Sequence, residues 1–402
     1  MELHLTKLQI AGLVIILMML SLITAISVDM YLPAMPSIKD SFHTSEKMVR
    51  LSLVIFMIGG AFGQLFYGPF SDKYGRKPVI IVGLFIYLFA TVLCITVNSI
   101  NWFLFARILQ ALGCCSAIVT AFAIVRDYFE GEQMAKVIAY ISAVIIVSPT
   151  LAPLVGSLLL SQFNNNWHSI FICLGVFGFI SLLLVVFCLQ ESNKHKHTNP
   201  LNLAVIFKDY FSIFKSWRFL GFTMANSVIF GSFLLYITES PFILMGYFKV
   251  NATDYAFYFG LIAIGLMLGS VTVSRLVKKY SNRLILLTGA SLVIFGSSLL
   301  LKLSGDNEIF TKLPVYLKFL APMIIISMGV GLVGPCAIAC ALQPFEKNAG
   351  SASAFIGFLR FLTASSIVAC IDYIFDITPM VLGGVFLVFS VLCFFLVKKV
   401  LK

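Results

Sequence analysis

Three features of this sequence predict an all-α membrane protein of twelve transmembrane helices. Hydrophobic residues fill 60% of the 402 positions and charged residues only 11%, against roughly 25% charged in an average soluble domain. The apolar residues fall in long continuous runs, near the ~20 residues that cross ~30 Å of hydrocarbon. The alternating segments of ~10 residues that mark a β-barrel are missing. Irregular or open-sheet backbone cannot face lipid, because each unpaired N–H or C=O there costs several kcal/mol. The spans are therefore helices.

The runs lie near 9–33, 47–70, 79–98, 102–125, 134–160 and 167–190, then near 219–243, 254–276, 284–303, 316–342, 349–371 and 379–398. The first follows Lys7 and reads as a retained helix: it is long, lacks a small-x-small cleavage site and is followed by many equal runs. A polar stretch from Glu191 to Ser216 separates six runs from six. It carries Lys194, His195, Lys196 and His197, with an amphipathic piece around Leu201–Phe214. The expected organisation is a six-helix bundle over 1–190, a cytoplasmic linker over 191–217 and a second bundle over 218–402. All nine cysteines sit inside apolar runs without metal-type spacing. They read as small membrane residues, so neither a disulfide framework nor a metal site is expected.

Basic residues set the orientation. With the N-terminus inside, nineteen Lys and Arg fall on the cytoplasmic side, among them Lys73, Arg76, Lys77 and Arg126, and seven, including Arg50, fall outside. Both termini are therefore expected in the cytoplasm. The same bias explains the net charge of +11 and makes anionic lipid headgroups the expected partner. The basic residues are spread over many short loops, which argues against nucleic acid.

The halves repeat one another. The first span ends Asp29-Met30-Tyr31-Leu32-Pro33 and the seventh ends Glu239-Ser240-Pro241, each with a carboxylate just before a proline. The second span leads into Gly68, Asp72, Lys73, Arg76 and Lys77, and the eighth into Gly269, Arg275, Lys278 and Lys279. Both offsets are about 200 residues. Duplicated six-helix halves place a binding cavity between them, near the midplane.

The turn between the second and third spans reads Gly68-Pro69-Phe70-Ser71-Asp72-Lys73-Tyr74-Gly75-Arg76-Lys77-Pro78. Gly68 is expected to let two helices approach closely, Asp72 to accept backbone N–H groups at a helix start, and Gly75 to make the turn. Arg76 and Lys77 suit carboxylates or headgroups. The stretch resembles the G-x-x-x-D-[RK]-x-G-R-[RK] signature of the major facilitator superfamily, and the resemblance extends over essentially the whole chain. The fourth span carries Arg107-Ile108-Leu109-Gln110-Ala111-Leu112-Gly113, similar to the family's R-x-x-Q-G-x-G, with Ala111 in place of a glycine. The fifth carries Ser148-Pro149-Thr150-Leu151-Ala152-Pro153-Leu154-Val155-Gly156-Ser157. That segment resembles the family's antiporter motif, with Ser148 and Ser157 where glycines are usual. Ser27 to Pro36, Ile124-Val125-Arg126-Asp127 and Ala349 to Ala354 are similar to the Bcr/CflA group of bacterial drug exporters.

Ionisable residues inside a span cost at least ~2.5–3.5 kcal/mol on insertion scales, so each needs a reason. Asp29, Arg107 and Glu239 fall in the outer halves of their spans, and Arg360 falls near the midplane of the eleventh. A carboxyl screened from water and approached by an arginine in only one conformation changes its proton affinity as the protein moves. The resemblance implies a proton role for Asp29 and Arg107, and the internal repeat extends it to Glu239. Asp29 and Glu239 also suit helix ends at the outer interface, and Arg107 a tie to backbone carbonyls. Arg360 departs from the subgroup; it fits either the balancing of a carboxylate or an anionic substrate group. Asp372 and Asp376 read as solvated. Tyr31, Gln110, Tyr236 and Arg360 are the candidate lining of the substrate cavity. The prolines Pro149 and Pro153, with Gly156, are expected to kink the fifth span.

The resemblance implies a monomeric proton-driven exporter of amphiphilic small molecules in the bacterial inner membrane. The alternative is the same machine exporting a dedicated metabolite such as a siderophore, amino acid or sugar, which an anion-binding Arg360 favours. The sequence contains no G-x-x-x-x-G-K-[ST] loop, so an ion gradient rather than ATP is the expected drive, and no cofactor is expected. Enzymatic chemistry is not expected, since no nucleophile or metal arrangement is present.

Overall fold

The computed structural model describes residues 7–193, 203–305, 313–314 and 316–400, and every regular element among them is helical. The first part comprises α1 (Lys7–Asp29), α2 (Met35–Ser41), α3 (Glu46–Tyr74), α4 (Arg76–Thr96), α5 (Ile100–Tyr128), α6 (Gly131–Gln162) and α7 (His168–Cys188). A short α8 (Leu203–Phe214) follows. Then come α9 (Trp217–Pro241), α10 (Ala252–Leu276), α11 (Asn282–Leu303), α12 (Ala321–Leu342), α13 (Ala349–Ile374) and α14 (Pro379–Val400). With α1 and α2 counted as one broken crossing, the described residues hold twelve helices long and apolar enough to span a membrane. Residues Lys194, His195, Lys196 and His197 lie outside the described residues.

The first and seventh crossings lose α-geometry just after their carboxylates. Pro33 has no N–H to give the carbonyl of Asp29, so α1 stops there; a single 3₁₀ turn, Leu32–Ala34, leads into α2. Pro241 ends α9, and the chain widens into a π-turn over Phe242–Tyr247. One proline rule thus gives two different breaks at repeated positions.

The principal helix pairings of the first six crossings recur in the second six. The first crossing packs on the fourth, fifth and sixth, and the seventh on the tenth, eleventh and twelfth. The fourth also meets the second and third, as the tenth meets the eighth and ninth. Glycines carry the tightest crossings. A Cβ on Gly113 of α5 would strike the backbone of Gly83 and Tyr87 in α4, and one on Gly329 of α12 would strike that of Gly289 and Val293 in α11. Small residues at such points let backbones touch, which gives helix association in lipid its dispersion contacts.

The two sets of six meet mainly along two antiparallel pairs, α3 with α13 and α6 with α10. Contacts run the length of the first: Arg50 with Asp372, the Val54 carbonyl with Ser365, Phe62 with Phe358 and Gln64 with Gly357. Helix α8 lies across this pair, where the Tyr210 hydroxyl donates to the Leu65 carbonyl (2.9 Å) and its ring stacks on Phe355. Helix α9 is the most enclosed crossing, with 83% of its apolar window buried against 33–61% elsewhere.

Candidate functional site

Arg107 is fully buried in α5, two turns from its start. Its Nη1 donates to Gln110 Oε1 (2.5 Å) and its Nη2 to the Ser27 carbonyl (3.2 Å). Gln110 in turn donates to Thr91 Oγ1 (2.9 Å). The guanidinium lies over the rings of Phe56 (4.4 Å), Tyr31 (4.7 Å) and Phe171 (5.8 Å). Tyr31, itself fully buried, bonds Ser52 (2.6 Å) through its hydroxyl, which also donates to the Val49 carbonyl (3.3 Å). Arg107 pairs with neither Asp29 nor Glu239 in this conformation; amide, carbonyl and aromatic faces hold its charge instead.

Asp29 is buried at the end of α1, and among the described residues its one hydrogen-bond donor is Ser148 Oγ (3.1 Å). Ser148 opens the proline segment of α6. There Pro149 and Pro153 remove two N–H groups from the ladder, yet the helix runs unbroken from Gly131 to Gln162. One turn past Pro153, Gly156 abuts the Met30 carbonyl so closely that any Cβ would collide with it. Gly156 thus seats α6 against the residue after Asp29.

Glu239 differs. Its Oε1 lies 3.0 Å from Arg50 Nε, and both side chains are closed off from solvent. The Arg50 N–H groups aim at Asp372 Oδ1, at 3.0 Å from Nε and 2.6 Å from Nη2, so Glu239 contributes charge without a hydrogen bond. Phe242 supplies a ring face 5.2 Å from the guanidinium. Asp372 is therefore paired, not solvated, with its side chain only 13% exposed. Asp376 is open to solvent and reaches Lys47 at 3.3 Å. These contacts tie α3 to α9 and α13 at the end opposite the α3–α4 turn.

At the other end, Gly75 makes the turn with φ +103°, in the left-handed region that favours glycine. Arg76 pairs with Asp72 and Asp127 and bonds Ser71 Oγ (2.7 Å). The start of α4 is capped by Glu191, not by Asp72. Its carboxylate accepts from the backbone N–H groups of Arg76 (2.9 Å) and Lys77 (3.2 Å). Lys77 Nζ donates to the Val186 carbonyl (2.8 Å). No atom would lie within 4 Å of a Cβ on Gly68; the close approaches of α3 to α5 occur at Gly59 and Gly63.

Arg360 sits mid-helix in α13, half-buried, with its guanidinium 4.7 Å from the Phe230 ring and 4.9 Å from that of Phe361. Its Nε has no acceptor. Tyr236 is fully buried in α9, stacked on Phe259, with its hydroxyl unpartnered. Among the described residues no cluster of His, Cys, Asp and Glu is placed to hold a metal ion, and the cysteines are free thiols.

The sequence assigns no site role to Arg50 or Ser148. Arg50 counts among the outer basic residues, although it lies one turn inside an apolar run, a position that itself demands a partner. Ser148 is visible as a hydroxyl where the resembled motif has glycine.

A family model described as Major Facilitator Superfamily matches residues 17–369. Over 95% of both chains, the sequence is 30% identical to a bicyclomycin resistance protein homolog of Haemophilus influenzae. It is 28% identical to a chloramphenicol resistance protein of Pseudomonas aeruginosa, covering 86% of this chain and 80% of that one. Among solved structures, a D-xylose–proton symporter superposes with a TM-score of 0.77 at 13% identity, covering 96% of this chain and 97% of the other. A mutant of the nucleoside transporter NupG gives a TM-score of 0.74 at 15% identity, covering 98% and 100%. Identities this low carry the fold alone.

Proposed function

This chain belongs to the Major Facilitator Superfamily, and from that premise we propose that it exports amphiphilic small molecules in exchange for protons. It is a transporter rather than an enzyme, a multi-pass protein of the bacterial inner membrane. Relatives named for resistance to bicyclomycin and chloramphenicol support export of drug-like cargo. The positive-inside bias puts the termini and the Gly75 turn in the cytoplasm and the Arg50 contacts at the outer face. This conformation is then the one closed to the outside.

The observation that carries the proton assignment is the isolation of Asp29. It is buried, no cation lies within 4 Å among the described residues, and one serine hydroxyl serves it. An ionised carboxylate so placed is expensive away from water, and taking up a proton removes that cost. Its bond from Ser148, and the seating of Gly156 on Met30, tie that proton to α6 and so to the α6–α10 contact between the halves. Outward opening admits a proton to Asp29; inward opening releases it as cargo binds between the halves beside Arg360. Arg107, enclosed by rings and amide, holds the adjoining turn through the Ser27 carbonyl. Glu239 acts with Arg50 in closing the outer face.

Proteoliposomes loaded with a pH gradient and an internal pH dye test this reading. A panel of amphiphilic drugs should evoke proton movement with the wild type and none with Asp29→Asn. No substrate-evoked proton movement by the intact protein would sink the proposal.

A further inference from the structure

We propose that Arg360 is an anion-binding residue of the cargo site, so that the exported amphiphiles include molecules carrying a carboxylate or a similar monoanion. This deepens the export reading above and rests on it. Arginine stays charged in proteins, and a cation at mid-depth costs at least ~2.5–3.5 kcal/mol. The protein treats its two such arginines differently. Arg107 is fully buried, with two acceptors and three ring faces. Arg360 makes no hydrogen bond and has no carboxylate within 4 Å among the described residues; its Nε is shut in, while the side chain as a whole stays half-open. The acids able to balance it are engaged elsewhere: Glu239 and Asp372 lie on Arg50, and Asp29 receives Ser148. Among the described residues no acid is left to supply the counter-charge for Arg360, which a bound anion would provide.

Its surroundings suit an amphiphile. Gly357 and Ala364, one turn to either side on the same strip of α13, lie against Gln64 of α3 and Gly231 of α9. The guanidinium therefore stands where the two halves meet. Phe230 and Phe361 cover it at 4.7 and 4.9 Å from their ring centres; with Nε shut in, the two Nη groups are the donors that the oxygens of a carboxylate would meet. Gln64, half-buried and without a hydrogen bond of its own among the described residues, offers an amide from the opposite half. An anion touching both is held only while the halves are together, so its binding favours that arrangement. A lipid headgroup is the other source of such an anion. Arg360 lies eleven residues into α13, roughly 16 Å at 1.5 Å per residue, which is well below headgroup level.

The test is equilibrium binding by calorimetry in phosphatidylcholine nanodiscs, without a pH gradient, using 2-naphthoate, 2-naphthamide and 2-naphthylmethylamine. Partition into empty discs is subtracted. The wild type should prefer the carboxylate to the amide by about tenfold or more, the range of one charge-assisted hydrogen bond. Arg360→Gln should reduce that preference to within about twofold while binding the amide as before, which also shows that it folds; Arg360→Lys should keep part of it. Equal binding of carboxylate and amide by the wild type overturns the proposal, and so does a preference that survives in Arg360→Gln. Stabilisation by phosphatidylglycerol that Arg360→Gln abolishes, with no carboxylate preference in neutral lipid, also overturns it and assigns the residue to a headgroup. Binding is read without a gradient, so a failure of proton coupling in proteoliposomes leaves this result standing and counts against the export reading alone.

Discussion

Replacing Arg50 by glutamine should release the two halves from one another at the end where α3 meets α9 and α13. The guanidinium gives Asp372 two donors, at 2.6 and 3.0 Å, and lies 3.0 Å from Glu239. Arg50 and Glu239 are 6% and 1% exposed. Removing one partner of a buried pair costs ~3–5 kcal/mol, because the remaining charges are left unbalanced. Asp372 keeps 13% exposure and Glu46, a third acid beside Arg50, keeps 44%, so water recovers part of this. A net ~2–3 kcal/mol is the appropriate figure after that discount. At ~1.4 kcal/mol per factor of ten, the closed arrangement loses roughly 30- to 150-fold against the open one. Spin labels at Ser41→Cys and Tyr373→Cys, both exposed on opposite halves of this end, report the change by double electron–electron resonance. The two exposed native thiols, Cys188 and Cys370, are first replaced by serine. Arg50→Gln should move population from the short to the long distance. The triple variant Arg50→Gln, Glu239→Gln, Asp372→Asn should move it back, since both buried acids are then neutral and only the water-exposed Glu46 keeps its charge. An unchanged distribution in the single variant refutes the reasoning, as does a triple variant as open as the single.

Two stability predictions follow from backbone contacts. Gly113→Ala drives a methyl into the backbone of α4 and should lower thermal stability in detergent by ~1–3 kcal/mol. Gly384→Ala, where nothing lies within 4 Å, should be neutral or gain up to ~1 kcal/mol; equal melting shifts for the two contradict the touching-backbone account. Glu191→Gln keeps the oxygen at the start of α4 but loses its charge. It should cost ~0.3–1 kcal/mol at low salt and less at high salt, and a melting temperature indifferent to both substitution and salt rules out the cap.

The crossings, their number and their repeat were legible because lipid imposes a length and leaves few alternatives to a helix. The Gly75 turn was legible too, since its left-handed backbone is one that glycine adopts at no steric cost. Pairing was harder. Asp72 stands where a helix cap is plausible, but the Gly75 turn folds Arg76 back onto it, and Glu191 arrives from over a hundred positions away. No local rule brings Glu191 to Arg76, or Asp372 to Arg50. Gly68 misled because a glycine near a helix end says nothing about which neighbour passes it. The aromatic enclosure of Arg107 draws on the break after α1, on α3 and on α7, and emerges only when they are assembled.

The glycine crossings also bear on how such a protein diversifies. Where main chain rests on main chain, as at Gly83 with Gly113 and Gly289 with Gly329, there is no side chain left to trim or swap, so the frame of each half resists drift. Along α3, α13, α6 and α10 the meeting surfaces are made of exchangeable groups such as Gln64, Phe62, Phe358 and Thr150. Variation has room there without disturbing the scaffold. Replacements on these four helices therefore alter how the halves meet, while the glycine-packed frame inside each half keeps its shape.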